Sequence, residues 1–232
     1  MAKKKTAATD QNIEVVEGAL SKTEQFIEDN QKILMIIMIA ILAVVGIYMG
    51  YKKFYLAPLE EEALSQMFVA EQYFEKDSLT LALNGDGMYL GFLDIADEYS
   101  ATRSGDLANY YAGVCYLKLG QFEDAIDYLE DFSGDDKMVN PIATGGIGDA
   151  HRELGDHEKA ISYYLEAAEK GNNDFITPLY LMKAARTYEF LNDYQKALEI
   201  FERIEKEYPK SGEGRKIEKF ITRAKLKIGS SQ

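Results

Sequence analysis

Two kinds of hydrophobic pattern divide the chain. From residue 33 to residue 51 the sequence ILMIIMIAILAVVGIYMGY runs for 19 residues without a charge, bounded by Lys32 and Lys52. At about 1.5 Å of rise per residue such a helix is about 29 Å long, close to the ~30 Å hydrocarbon core of a bilayer. The run exceeds the ~7–15 residues of a signal-peptide core. It ends in Gly50, Tyr51, Lys52 and Lys53, with no small-x-small cleavage site. It therefore predicts an uncleaved signal-anchor helix. Before it, Ile13, Val16, Leu20 and Ile27 follow helical spacing, with Glu14, Glu17, Glu24, Glu28 and Asp29 elsewhere. That pattern predicts a short amphipathic helix with an acidic face, within a tail of residues 1–32. An acidic face suits docking to a protein better than lying on lipid, and a solvated tail is the other reading. From residue 54 onward apolar residues recur every three or four positions, which predicts a succession of amphipathic helices.

Within that second part the pattern repeats. The segments YLKLGQFEDAIDYLEDF (116–132), HRELGDHEKAISYYLEA (151–167) and YEFLNDYQKALEIFERI (188–204) align with one another. Each has a helix-ending Gly120, Gly155 or Asn192, then Phe122, His157 or Tyr194, then Ala125, Ala160 or Ala197, and the alanines are 35 and 37 residues apart. Small residues Gly113, Gly148 and Ala185 precede Tyr116, His151 and Tyr188 by three positions, while Leu129, Tyr164 and Phe201 fill a large position of the second helix. Small residues let two helices approach and large ones bury against the next unit. The pattern resembles the tetratricopeptide repeat, whose period is about 34 residues. Pro209 closes the last unit where that pattern places proline.

The register extends over residues 60–228. Tyr73 and Ala82 keep the nine-residue offset of the three units, but Ala82 to Ala125 is 43 residues and NGDG (84–87) interrupts the second helix. The expected plan is a span at 33–51 and a repeat domain at 54–232. The domain comprises a degenerate unit at 60–102, units at about 106–139, 141–174 and 178–211, and a capping helix at 213–228. The capping helix gathers Ile217, Phe220, Ile221, Ala224 and Ile228 on one side. The fold class is all-α: one N-terminal transmembrane helix followed by a tetratricopeptide-repeat solenoid.

Charge narrows the partners. Residues 1–53 are nearly balanced, with 7 Lys against 6 Asp and Glu, whereas residues 54–232 carry 19 basic and 33 acidic side chains. So acidic a domain repels phosphate backbones, which argues against nucleic acid, and it favours encounter with basic protein segments. A single cysteine, Cys115, leaves no internal disulfide to form. Between Val114 and Tyr116 it reads as core.

The residues offer no catalytic, metal or cofactor constellation, and the chain is not expected to be an enzyme. His151 and His157 stand where sister units have aromatic residues and are six apart, which does not give the one-face pair of a metal-binding helix. NGDGMYLG and TGGIGD lack the strand–turn–helix context of a phosphate loop. Gly145, Gly146 and Gly148 fall inside a repeat helix, where they are expected to leave a dip in the concave surface.

The concave surface of such a solenoid is built from the first helix of each unit. Its candidates are Tyr110, Val114 and Leu117, then Gly145, Asp149 and Arg152, then Met182, Arg186 and Glu189. Mixed aromatic, apolar and charged groups suit an extended or helical peptide. The Lys/Asn set that clamps a C-terminal carboxylate in some repeats is missing, and a solvated groove is the plain alternative. In the span, Ala40, Ala43, Gly46 and Gly50 fall within about a third of the helix circumference at ~100° per residue. Gly46-x-x-x-Gly50 has the spacing that lets a second transmembrane helix approach, and it leaves a homodimer open.

The side of the membrane is weakly marked. Segments 13–32 and 52–71 each hold two Lys, so the positive-inside count is tied. Lys3, Lys4 and Lys5 tip it toward a cytoplasmic N-terminus. A short tail, one span and acidic tetratricopeptide repeats together resemble the YfgM family of bacterial inner-membrane proteins, in its Bacteroidota-type branch. The likeness rests on FEKDSLTLALNGDGMYLGFLDIADEYSATRSGDLANYYAGVCYLKLGQFEDAI, with its NGDG insertion and LANYYAG opening. The resemblance implies a single-pass inner-membrane protein with its repeats in the periplasm. It also implies association with the SecYEG translocon and a PpiD-like membrane chaperone, assisting proteins that emerge into the periplasm. A structural scaffold of another envelope complex, in division or cell-wall assembly, is the alternative.

Overall fold

The computed structural model describes the backbone of residues 3–230 and the side chains of residues 26–230. It divides after Ala57 into two compact units.

The first unit is dominated by one helix, α1 (Lys3–Tyr51), followed by a π-helical turn, Lys52–Leu56. The acidic amphipathic stretch and the apolar run thus share a single helix. The side chains of Ile13, Val16 and Leu20 lie outside the described residues, and Ile27 is exposed. The apolar window has a mean hydropathy of 2.8 and none of it is buried. By length and composition this helix can cross a membrane.

The second unit is built from α2 (Ala57–Glu75), α3 (Leu79–Asn84), α4 (Phe92–Glu98), α5 (Arg103–Leu119) and α6 (Phe122–Asp131). It continues with α7 (Val139–Glu153), α8 (His157–Gly171), α9 (Ile176–Phe190), α10 (Tyr194–Glu207) and α11 (Glu218–Ser230). A 3-10 turn, Gly214–Lys216, precedes α11.

The same turn links the helices of each unit. Gly120, Gly155 and Asn192 all take left-handed backbone, with φ of 77°, 86° and 62°. The following N–H groups of Gln121, Asp156 and Asp193 donate back to the carbonyls of Tyr116, His151 and Tyr188 at 2.8–2.9 Å. This closes the first helix of the unit by the 6→1 bond of a Schellman cap. Between α2 and α3, Asp77 takes the left-handed position (φ 57°) and Ser78 N–H donates to the Tyr73 carbonyl at 2.9 Å. The next helix starts three residues before a fully buried alanine in every case: Ala82, Ala125, Ala160 and Ala197.

Packing follows the small–large alternation. A Cβ on Gly113 would lie 2.5 Å from the Leu129 side chain, and one on Gly148 would lie 2.8 Å from the Tyr164 ring. The large residue of α6 or α8 therefore sits directly on the glycine of the preceding helix. Ala185 and Phe201 share the largest buried cluster, which runs from α8 to α11 and includes Leu181 and Ile217. A second cluster joins α2, α3, α4 and α5 around Phe92, Ile95 and Cys115. A third, smaller cluster at the junction of α6 and α7 centres on Leu129, Ala143 and Ile147, supported by half-buried neighbours.

The NGDG insertion splits what would be one second helix into α3 and α4. Asp86 holds the loop by accepting from the N–H groups of Met88 and Tyr89 at 2.8 Å and from the Tyr73 hydroxyl at 2.8 Å. Those three bonds, the backbone pair first, hold its carboxyl below the usual carboxylate range.

Candidate functional site

The first helices α5, α7 and α9 carry the candidate groove residues, and the structure sorts them into three groups. Tyr110, Val114 and Leu117 of α5 are half-buried and pack on the Leu129–Ala143–Ile147 cluster. Tyr110 also meets Phe132, with ring centroids 5.7 Å apart, and burial raises its hydroxyl pKa. These three side chains spend much of their apolar surface on joining α5 to α6 and α7.

Asp149 of α7 anchors the second group. Its carboxylate accepts from Lys183 of α9 at 2.8 and 2.7 Å and from the Tyr164 hydroxyl of α8 at 2.7 Å. Lys183 also lies over the Tyr164 and Tyr180 rings, 5.6 and 5.3 Å from their centroids. Burial, and then the Asp149 carboxylate, push the Tyr164 hydroxyl pKa far above its ordinary value. The network ties three consecutive helices together and pairs both Asp149 oxygens. The Tyr180 ring fills the space where a Cβ of Gly145 would stand. The dip expected over the α7 glycines is therefore absent at Gly145, because an aromatic ring from α9 is seated on it. Met182 is half-buried against the α8–α11 core. Glu189 is bonded through both oxygens to Arg223 of α11, one bond being 3.0 Å, so it holds the capping helix.

The third group is open. Arg152 of α7 and Arg186 of α9 line a cleft of about 390 Å³ together with His157, Thr187 and Phe190. Arg152 bonds to the adjacent Glu153 at 2.9 Å, which is the main reason its pKa is raised. Among the described residues Arg186 has no ion-pair partner. Phe190 is 69% exposed and meets His157 edge-on at 4.6 Å. Sequence reasoning placed the two arginines on one face but missed Phe190 and Thr187. It read His157 only as an aromatic replacement. The available signal was Phe190 itself, which stands where the sister units have Lys118 and Glu153. A second, acidic cleft of about 600 Å³ is lined by Asp97, Asp106, Asp127 and Asp131 near Tyr128. Among the described residues no group of three or more His, Cys, Asp or Glu is placed to hold a metal ion.

Comparison with known proteins agrees with this architecture. Tetratricopeptide-repeat models match residues 112–175 and residues 180–211. A kinesin-light-chain-like protein from Podosopora anserina, built of nearly identical TPR-like repeats, superposes with a TM-score of 0.56 at 14% identity. The alignment covers 74% of this chain and 89% of that one. The MamA protein superposes with a TM-score of 0.54 at 17% identity, over 72% of this chain and 92% of its own. At such identities the likeness speaks for fold. No curated protein matches the sequence. The chain carries tetratricopeptide repeats folded as a helical solenoid, an architecture that serves as a scaffold for protein–protein interaction.

Proposed function

We propose that this protein is a membrane-anchored, non-catalytic binding scaffold of the SecYEG translocon. In this reading it acts with a PpiD-like chaperone on proteins emerging into the periplasm. The observation that carries the reading is the pairing of an unburied apolar window in α1 with a solenoid of interaction repeats. Residues 33–51 span the inner membrane, residues 1–32 stay in the cytoplasm, and the domain at 54–232 lies outside. Its units fall at 60–102, 106–139, 141–174 and 178–211, with the cap at 213–228. The NGDG and LANYYAG segments support the translocon assignment through their resemblance to the YfgM family.

Physically, an anchor confines the repeats to a thin layer beside the membrane, which raises the effective concentration of the groove near an emerging chain. Ala40, Ala43, Gly46 and Gly50 form the surface on which another transmembrane helix docks. Among the described residues, and apart from the backbone of the helix itself, no atom lies within 4 Å of where a Cβ of Gly46 or Gly50 would stand, which suits a face that receives one.

The test is a photo-crosslinker placed at Gly46 or Gly50, followed by mass spectrometry of the purified membrane complex. Sec subunits and a PpiD-like chaperone are the expected products. Recovery of division or cell-wall proteins without Sec subunits overturns the translocon assignment in favour of a scaffold for another envelope complex. Recovery of a second copy of this chain alone identifies the face as a homodimer contact instead.

A further inference from the structure

Resting on the reading that the repeats bind protein segments, we infer that the Arg152–Arg186 cleft takes an acidic peptide segment bearing an aromatic or large apolar side chain. The net charge of the repeat region points the other way, toward basic partners. The local chemistry is different. The cleft-lining residues Arg152, His157, Arg186, Thr187 and Phe190 include no carboxylate, in a region where acids outnumber bases 33 to 19.

Arg186 is exposed and has no ion-pair partner among the described residues. Among the described residues the carboxylate bonded to Arg152 is that of its neighbour Glu153, and both side chains are about half exposed. Such surface pairs contribute little and are easily exchanged. Two guanidinium forks from successive units therefore face one opening, and a guanidinium matches a carboxylate with two parallel hydrogen bonds. Phe190 supplies the apolar complement. Most of its ring is in solvent while its edge contact with His157 fixes its position. A ring held in this way offers a stacking surface at low entropic cost. Among the described residues His157 Nδ1, which is buried, has no hydrogen-bond partner. The cleft volume lies within the ~300–1,000 Å³ range of ordinary ligand sites, enough for a few side chains of a segment passing along the groove.

The rest of the groove is consistent with this placement. Asp149 is neutralised by Lys183 and Glu189 by Arg223, so neither confronts the ligand as a free charge. The Asp97–Asp106–Asp127–Asp131 cleft repels the same segment. Recognition of acid is thus localised to one stretch of the solenoid, between α7 and α9.

The test uses the full chain in detergent micelles and fluorescence anisotropy with two short labelled peptides, one of Glu, Asp and Phe, the other of Lys and Phe. The acidic peptide is expected to bind. Arg186→Gln and Phe190→Ala are each expected to weaken it by about tenfold, the scale of one charge-assisted bond or one lost aromatic contact. Both positions are exposed, so circular dichroism and the melting transition stay unchanged. Arg186→Glu should shift preference toward the lysine peptide. Acidic-peptide binding unaffected by these substitutions, or a wild-type preference for the lysine peptide, overturns the inference. Crosslinking from the span reports separately on the translocon. Lost Sec crosslinks with acidic-peptide binding intact would defeat the proposed function alone, and the reverse pattern would defeat this inference alone.

Discussion

Helix α1 and the repeat helices are both rich in apolar residues and dispose of them in opposite ways. Ile36 and Ile47 of α1 are 66% and 73% exposed, whereas Tyr164, Leu181 and Phe201 of the repeats are completely buried. Composition does not separate the two; spacing does. In α1 the apolar residues run without interruption, so they cover the whole circumference and no single protein neighbour can bury them. A bilayer can. In the repeats a large residue sits on a glycine of the preceding helix, Leu129 on Gly113 and Tyr164 on Gly148, so that one helix accepts the next. A small residue means opposite things in the two settings. Gly148 is already filled by a protein neighbour, while Gly46 is still open.

Substitutions at matched positions break this comparison most directly. Phe201→Ala or Tyr164→Ala should cost about 3–5 kcal/mol of repeat-domain stability, the ordinary loss for a buried aromatic. Gly46→Leu should leave the same unfolding transition untouched, because among the described residues no atom outside the helix's own backbone stands within 4 Å of the added Cβ. Chemical denaturation followed by far-ultraviolet circular dichroism measures both. A comparable loss from Gly46→Leu would show that the apolar helix takes part in the repeat core.

The polar network sharpens the contrast within the repeats. Asp149→Ala leaves Lys183 without its carboxylate and the Tyr164 hydroxyl without an acceptor. The expected cost is about 1–3 kcal/mol in the same denaturation assay, below that of the aromatic truncations. An unchanged midpoint would mean that the network contributes only to groove shape.

The smallest effect concerns the NGDG loop. The Asp86 carboxyl is held below its usual range by its bonds to Met88, Tyr89 and Tyr73, so the folded pKa is the lower one. Its stabilisation is therefore present above the ordinary carboxylate range and is lost as pH falls through the lowered value. Amide exchange at Met88 and Tyr89 should accelerate in that acid window, relative to the intrinsic rate, before the regular units respond. Asp86→Asn should remove the pH dependence.

Much of the solenoid was legible because its determinants are local. Gly120, Gly155 and Asn192 announce a left-handed turn, and an alanine five residues beyond each marks the start of the next packed helix. The first unit was harder to read, since Asp77 makes the same turn without being a residue that advertises it. The groove was less legible because its character depends on which side chains from different helices meet. Nothing in the spacing of Gly145 says that Tyr180, 35 residues later, will fill it, or that Glu189 will be taken by Arg223. Arg152 and Arg186 could be placed on one face by their 34-residue separation. The cleft they share became apparent only with Phe190 and His157 in position.

The central claim is that the binding repeats stand outside the cytoplasm, and the chain provides a quiet background for testing it. Cys115 is fully buried, and burial pushes its thiol pKa up to about 12, so it does not react with maleimides at neutral pH in the folded protein. A Lys210→Cys variant adds one exposed thiol to the last repeat. In intact spheroplasts a membrane-impermeant maleimide should label Lys210→Cys fully and the parent chain not at all. Labelling that appears only after the membrane is disrupted would place the repeats in the cytoplasm and contradict the account.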